Sequence, residues 1–180
     1  MRRVTYSMFV SLDGYATDPD GGIDWSDPDP ELFRFITAQT SQLSAYVMGR
    51  RLYETMLYWE TAEGLDADGR AWAEIWNPLP KVVFSRTLTA VEGTARLATG
   101  GLAEEIARLP AGEVAIGGPT LAAEAAALDL IDEYCPRVAP VLLGGGTPYF
   151  PRGGRRVDLE LVERRAFPSR AVTHRYRVVR

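Results

Sequence analysis

Two glycines, Gly117 and Gly118, stand between a short apolar run, Val114-Ala115-Ile116, and a proline that opens an alanine-rich stretch. Such a run reads as a strand buried on both faces, and a residue without an N–H suits the first turn of a helix. A strand, a glycine pair and a helix start together make a phosphate cradle. The glycines let the backbone approach a ligand, and the first N–H groups of the helix face an anion with nothing else to bond. A tight strand-to-helix turn with no ligand would use the same residues, and the pair alone leaves the two readings even, being shorter than the G-x-G-x-x-G fingerprint. A second arrangement repeats the chemistry: Ala45-Tyr46-Val47-Met48 runs into Gly49-Arg50-Arg51, where a helical stretch begins. Cations at a helix start oppose its dipole, so two arginines there raise the odds of a bound anion. A third apolar run, Lys81-Val82-Val83-Phe84, ends at Ser85-Arg86-Thr87.

The rest of the composition narrows the chemistry by exclusion. His174 is the only histidine and Cys135 the only cysteine, which removes Ser-His-Asp hydrolysis, histidine-based metal centres, cysteine zinc sites and disulfides almost entirely. No metal is expected, and a lone thiol fits a reducing, cytoplasmic compartment. With a net charge of −4 and no long basic run, the chain has no footprint for nucleic acid. No stretch reaches the apolar length of a membrane span, and the N-terminal residues lack the apolar core and cleavage site of a signal peptide. At 180 residues, 46% hydrophobic and 24% charged, the chain reads as a single globular domain over residues 1–180.

The elements that must position these residues follow from periodicity. Residues 4–12 read as an early, central strand ended by Asp13-Gly14. Residues 15–30 are rich in Asp, Gly and Pro, and a loop this long in a small domain is more often a lid or binding loop than slack. Trp25 sits within it, either packing back on the core or offering a face to a flat ligand. Asp29-Pro30-Glu31 has the form of a helix start, with Leu32, Phe33, Phe35 and Ile36 on the apolar face. Residues 60–77 read as a loop with a short helix around Trp72 and Trp76. A short strand near residues 95–97, a helix over 102–109 and a strand over 131–140 follow, then a glycine-hinged loop over 141–150. Residues 157–165 and 172–179 alternate as an antiparallel hairpin. The pattern predicts a single-domain three-layer α/β/α fold, with a mostly parallel mixed sheet and an antiparallel C-terminal hairpin. Ligands then belong at the carboxyl ends of the strands, where Gly49-Arg50, Ser85-Arg86 and Gly117-Gly118 all fall. A homodimer is expected, because the hairpin leaves a sheet edge or face to cover and Tyr176, Val178 and Val179 are apolar at the very end of the chain.

Five segments, in order along nearly the whole chain, resemble the dihydrofolate reductase-like superfamily, and within it the branch around the reductase domain of riboflavin biosynthesis. They are Ser11-Leu12-Asp13-Gly14-Tyr15, Met48-Gly49-Arg50-Arg51 with Tyr53-Glu54, Val82-Val83-Phe84-Ser85-Arg86, Ile116-Gly117-Gly118-Pro119-Thr120 and Leu142-Leu143-Gly144-Gly145-Gly146-Thr147-Pro148. The resemblance implies an NADPH-dependent reductase acting on a small molecule. Its pyrophosphate would lie against Gly117 and Gly118 and the helix starting at Pro119 and Thr120, with the helix start after Gly49 facing it. Arg50, Arg51, Ser85 and Arg86 would hold the 2′-phosphate, in keeping with guanidinium forks as phosphate binders. Asp13 would begin the loop that closes over the nicotinamide; Trp25 and the loop containing Gly145, Gly146 and Phe150 would border the substrate. The folate enzymes place a carboxylate on the first helix; here Glu31, with Asp29 behind it, is the nearest candidate, and both acids equally suit an ordinary helix start. Asp13 and Glu31 are thus the catalytic candidates. Leu52 replaces the threonine of those enzymes, and the glycine-rich segment is foreign to them. A pterin- or pyrimidine-like ring is therefore expected in place of folate. A non-catalytic NADPH-binding module of the same fold is the alternative.

Overall fold

The computed structural model describes residues 2–151 and 154–180. Its elements run β1 (Arg2–Ser11), α1 (Pro30–Thr40), β2 (Leu43–Gly49), α2 (Arg50–Met56), α3 (Tyr58–Thr61), α4 (Ala67–Trp76), β3 (Lys81–Phe84), β4 (Ala95–Leu97), α5 (Leu102–Arg108), β5 (Gly112–Gly117), α6 (Pro119–Ala127), β6 (Glu133–Ala139), β7 (Leu159–Ala166) and β8 (Val172–Val178). All eight strands form one sheet in the order β4-β3-β2-β5-β1-β6-β8-β7. The first six pair in parallel, and β8 and β7 add antiparallel at one end. The architecture is the mixed α/β sheet that the alternating pattern predicts.

Helices cover both faces. Val4, Tyr6, Val114 and Ile116 pack with Leu102 and Ile106 of α5 and Leu121, Ala122 and Ala125 of α6. On the opposite face Met48 and Val83 pack with Leu32 and Ile36 of α1, Tyr53 of α2, and Trp72 and Trp76 of α4. Odd and even residues of the inner strands thus go to different helical layers, which is why those strands read as continuous apolar runs. α1 starts as its sequence indicates: the Asp29 carboxylate accepts from the backbone N–H of Glu31 and Leu32, with Pro30 in the first turn.

Two local expectations change. Residues 60–77, read as a loop with a short helix around Trp72 and Trp76, hold that helix in a longer form, the ten-residue α4, whose Asp66 cap accepts from Gly69 N–H at 2.7 Å. Trp72 and Trp76 stack at 5.7 Å and fill the core, and buried Lys81 lies over the Trp76 ring while pairing with Glu60. In the hairpin, β7 is exposed along all eight residues, so its alternation does not mark a buried face. Tyr176 and Val178 pack against the α5–α6 core, leaving Val179 exposed.

Glu105 shows how the edge beside β4 is held. Its wholly buried side chain meets Arg96 at 2.6 Å and accepts from the N–H groups of Thr99 and Gly100. The hydrogen bond from Arg96, and then those two N–H groups, pull its carboxyl down to about 2. A carboxylate with a depressed native pKa stabilises the fold above its unfolded pKa, and that contribution disappears as pH falls toward the native value. Glu105→Gln should therefore cost on the order of 2 kcal/mol at pH 7. In urea melts, the gap between native and variant proteins should close as pH drops from about 5 toward 2.

Candidate functional site

Because β3, β2, β5, β1 and β6 are neighbours and parallel, their carboxyl ends form one continuous edge. Along it stand Ser85-Arg86, Gly49-Arg50-Arg51, Gly117-Gly118, Ser11-Leu12-Asp13 and Ala139-Pro140, in that order. Four strand spacings make the row roughly 19 Å long. Chain order alone would not place Gly117 between Gly49 and Asp13; the insertion of β5 between β2 and β1 does.

The two glycines of the pair have different reasons to be glycine. A methyl on Gly117 would overlap Leu52 Cδ2 and come within 2.6 Å of the Tyr46 ring, so packing excludes any side chain there. Gly118 has φ +96°, and the nearest atom to an added Cβ is Gly49 N at 3.9 Å. Its conformation demands glycine, and the space before it is open. Gly118 caps α6, whose Ala122 N–H bonds the Gly118 carbonyl, so the N–H groups of Thr120 and Leu121 have no partner within the helix. The start of α2 adjoins the same space. An anionic ligand fits here.

The arginines are unequal. Arg50 donates from Nε to Glu54 and from Nη1 to Thr87, both at 2.8 Å, which ties α2 to the end of β3. Ser85 Oγ accepts from Thr87 N–H and Leu88 N–H and thereby shapes that turn. Arg51 and Arg86 are exposed, and their side chains make no hydrogen bond or ion pair among the described residues.

Both expected catalytic carboxylates have partners. Asp13 accepts from Ser11 Oγ at 2.6 Å, Gly144 N–H at 2.7 Å and Leu143 N–H at 3.1 Å. The Ser11 hydroxyl, and after it the two backbone donors, hold its carboxyl below the usual range. Asp13 is a latch between two loops. Glu31 sits at the start of α1, half exposed, and pairs with Arg165 at 2.9 Å. Asp29 is fully engaged as the cap and by Ser169 N–H, and its carboxyl is also lowered, chiefly by hydrogen bonding from Ser169.

The segment expected to act as a lid is fastened over its first part. Leu12 N–H bonds Val141 O, Ala16 N–H bonds Thr147 O, Tyr149 N–H bonds Gly14 O, and Thr17 Oγ1 donates to Thr147 Oγ1. Residues 11–18 and 141–149 are thus zipped together. Trp25 lies beyond the zip on a 3-10 turn, Asp24–Ser26, its indole N–H on Gly22 O. It lines a groove of about 220 Å³ with Phe9, Ser26, Asp27, Leu32, Ala139, Pro140, Val141, Ser169 and Ala171.

Of the other expected substrate residues, none lines this groove. Gly145 and Gly146 pack against residues 17–19. Phe150 sits against Tyr149 and Tyr134, at 4.7 and 5.9 Å between centroids. Tyr134 belongs to the core on the α5–α6 face, so Phe150 lies away from this groove. Asp27 is the groove residue that sequence reasoning passed over. Its place two residues after Trp25, outside the helix start that absorbs Asp29 and Glu31, was the available signal.

Fold and edge define an α/β protein whose strand ends bring arginines and an open helix start into one row beside a small aromatic groove. Residues 2–173 match the RibD C-terminal domain, and the chain belongs to that family. It is 29% identical to the uncharacterized protein YyaP of Bacillus subtilis (strain 168) over 176 residues, covering 95% of this chain and 92% of YyaP. Among solved structures it is similar to a putative riboflavin biosynthesis protein from Shewanella sp. PV-4, with TM-score 0.77, 25% identity and 99% of each chain covered. A pyrimidine reductase-like protein of Corynebacterium diphtheriae shares the fold at TM-score 0.71 and 15% identity, over 99% of this chain and 92% of that one. So does a diaminohydroxyphosphoribosylaminopyrimidine deaminase/5-amino-6-(5-phosphoribosylamino)uracil reductase from Thermotoga maritima, at TM-score 0.69 and 15% identity, where this chain covers 57% of that one.

Proposed function

We propose that the protein is an NADPH-dependent reductase of a small pyrimidine- or pterin-like ring. The observation that carries this is the order of groups along the strand edge: unpaired arginines, then the open Gly118 turn with its helix start, then a groove walled by Trp25 and Phe9. A dinucleotide carries its groups in the same order, with a charged phosphate end, a central pyrophosphate and a reactive ring. Arg51 and Arg86 would hold the 2′-phosphate, and Gly118, Thr120 and the α6 start the pyrophosphate. When bound, the cofactor supplies the hydride. The protein's own part is orientation and dryness: Trp25, Phe9 and Leu32 give the ring apolar walls, and Asp27 offers the groove a carboxylate to bond ring N–H groups and keep a proton in reach.

Turnover is the test. Oxidation of NADPH with any member of a panel of pyrimidines and pterins supports the reading, whereas NADPH binding without turnover of any favours a non-catalytic module. The engagement of Asp13, Asp29 and Glu31 is what supports that second reading. If the protein turns over, Asp27→Asn should cut kcat more than about a hundredfold, the scale of general acid–base catalysis. Glu31→Gln should leave it nearly unchanged, since an exposed pair such as Glu31–Arg165 contributes about 0–1 kcal/mol. The opposite ranking would return the catalytic role to Glu31.

A homodimer belongs to the same proposal, with its interface moved from the chain end to β7. There Leu159, Leu161 and Val162 are exposed on an edge strand, and a bulge between Leu161 and Glu163 discourages open-ended strand addition. Light scattering should give twice the chain mass at micromolar concentration. Leu161→Glu should shift it to the monomer; a native protein that stays monomeric as concentration rises would refute the pairing.

A further inference from the structure

Among the described residues, Arg137 is the charge whose place in the fold is least explained. It lies in β6, opposite Phe9 of β1 and Thr173 of β8, with its guanidinium 5.9 Å from the Phe9 ring centroid. Among the described residues it makes no hydrogen bond and no ion pair, and its Nε is wholly buried without a partner. The residue as a whole is half-buried, so the cost falls on this one N–H, which has lost water without gaining an acceptor. Arg175 stands diagonally across on β8. Its Nη1 and Nη2 bond Glu133 and Glu113 at 2.9 and 3.2 Å, yet its Nε is also buried and unpartnered.

Both arginines line one cleft between the sheet and α1, together with Ser7, Cys135 and Thr173 from the strands and Phe35 and Gln39 from the helix. His174 is part of the wall, though its ring stacks on Tyr176. Glu163 of β7 is at the rim, exposed, and is within ion-pair distance of neither arginine. The two guanidinium Nε–H groups are donors without an acceptor, while the Ser7 hydroxyl beside them donates to Cys135 O at 3.4 Å. The enclosed space is about 10 Å³, enough for one water-sized atom. A halide ion or one oxygen of a carboxylate fits; the three terminal oxygens of a phosphate do not.

We propose that Arg137 and Arg175 form a binding site for a small monovalent anion, a halide or a carboxylate, beneath the candidate groove. The site stands on its own geometry and does not depend on the reductase reading. It adjoins the groove through Phe9, which lines the groove and lies against Arg137, and through Ala139, which shares that strand face two residues further on. The anion is therefore either free or the carboxylate of a ring held in the groove.

Thermal melts at constant ionic strength test it, with chloride or formate replacing sulfate. The native protein should show a saturable rise in Tm, about 3–6 °C at ten times the dissociation constant. Arg137→Met should abolish the saturable rise and, in sulfate alone, melt no lower than the native protein, because it removes a buried N–H that has no acceptor. The same rise in Arg137→Met, or none in the native protein, would overturn the site. A rise seen only in Glu163→Gln would also overturn it, since Glu163 would then fill the cleft itself. Competition separates the two sources. If the ligand's own carboxylate is the anion, orotate will displace formate more tightly than acetate does and will quench Trp25, with the quench lost in Trp25→Phe. If the anion is free, orotate and acetate will compete alike without the quench. In either case Arg137→Met must lose the effect.

Discussion

Gly146→Ala should lower stability by on the order of 3–5 kcal/mol, among the largest losses available to a single methyl group in this chain. Gly146 has φ +120°, and a Cβ there would overlap the carbonyl oxygen of Thr17 and lie 2.8 Å from the carbonyl carbon of Asp18. Those are backbone atoms fixed by the zip between residues 11–18 and 141–149, so no side chain can swing aside to make room. The neighbours calibrate the claim. Gly144 has φ +72° but nothing within 4 Å of an added Cβ, so Gly144→Ala should show only the left-handed strain, about 1–2 kcal/mol. Gly145 would meet only Pro19 Cγ at 3.5 Å, an ordinary contact, and Gly145→Ala should be nearly neutral. Urea midpoints at unchanged m-value should rank the losses 145, 144, 146 in ascending order. If Gly146→Ala costs no more than Gly144→Ala, the two loops separate freely in solution and the zip is not rigid.

That ranking bears on function because the zip carries the Asp13 latch. A carboxylate holding two successive backbone N–H groups of the opposite loop makes the wall beside the groove a single unit. Movement over the site is then left to residues 19–27, the segment with Trp25 and Asp27. A loop rich in glycine, proline and aspartate could be read from composition as a functional segment. That its first third is tied down could not, because the bonds span about 130 positions, as from Asp13 to Gly144.

The same distinction runs through the whole chain. Strand and helix starts were legible where local chemistry sets them: Asp29-Pro30 at α1, Gly118-Pro119 at α6, and the apolar runs of β2, β3 and β5. The convergence of glycines and arginines followed from the rule that parallel strands present their carboxyl ends together. Features set by tertiary packing were not legible. The helix around Trp72 and Trp76 is expected, but its length is not: α4 reaches back to Ala67 across a glycine and acids because Trp72 and Trp76 have a core to fill. β7 alternates as a half-buried strand would, yet nothing among the described residues covers it. Glu31 and Asp13 had the residue type and the approximate position for acid–base work. Only the coordinates show the partners that occupy their oxygens, while Asp27, between them in sequence, reaches the groove.

Cofactor choice is the prediction on which the functional reading turns. NADPH should bind on the order of a hundredfold more tightly than NADH. The only difference between them is the 2′-phosphate, with close to two charges, and Arg51 and Arg86 are exposed at the strand edge with no carboxylate committed to either. Each charge-assisted contact contributes about 1.5–3 kcal/mol, so two of them are enough for that ratio. The structure also ranks the arginines, which the sequence did not. Arg50 already has Glu54 on its Nε and Thr87 on its Nη1, so part of its charge is spent within the protein. Arg86→Ala should weaken NADPH by about 10- to 100-fold and Arg50→Ala by less, with NADH within about twofold in both. Gly118→Val should weaken both cofactors alike, because the side chain would stand in the open space before α6 and φ +96° would be strained. The NADPH preference should also shrink with added salt, as contacts between exposed charges do. Titration of each variant by calorimetry gives all of these values. Equal affinities in the native protein would remove the 2′-phosphate from the arginine edge, and the proposed direction of the ligand along the strands would fail with it.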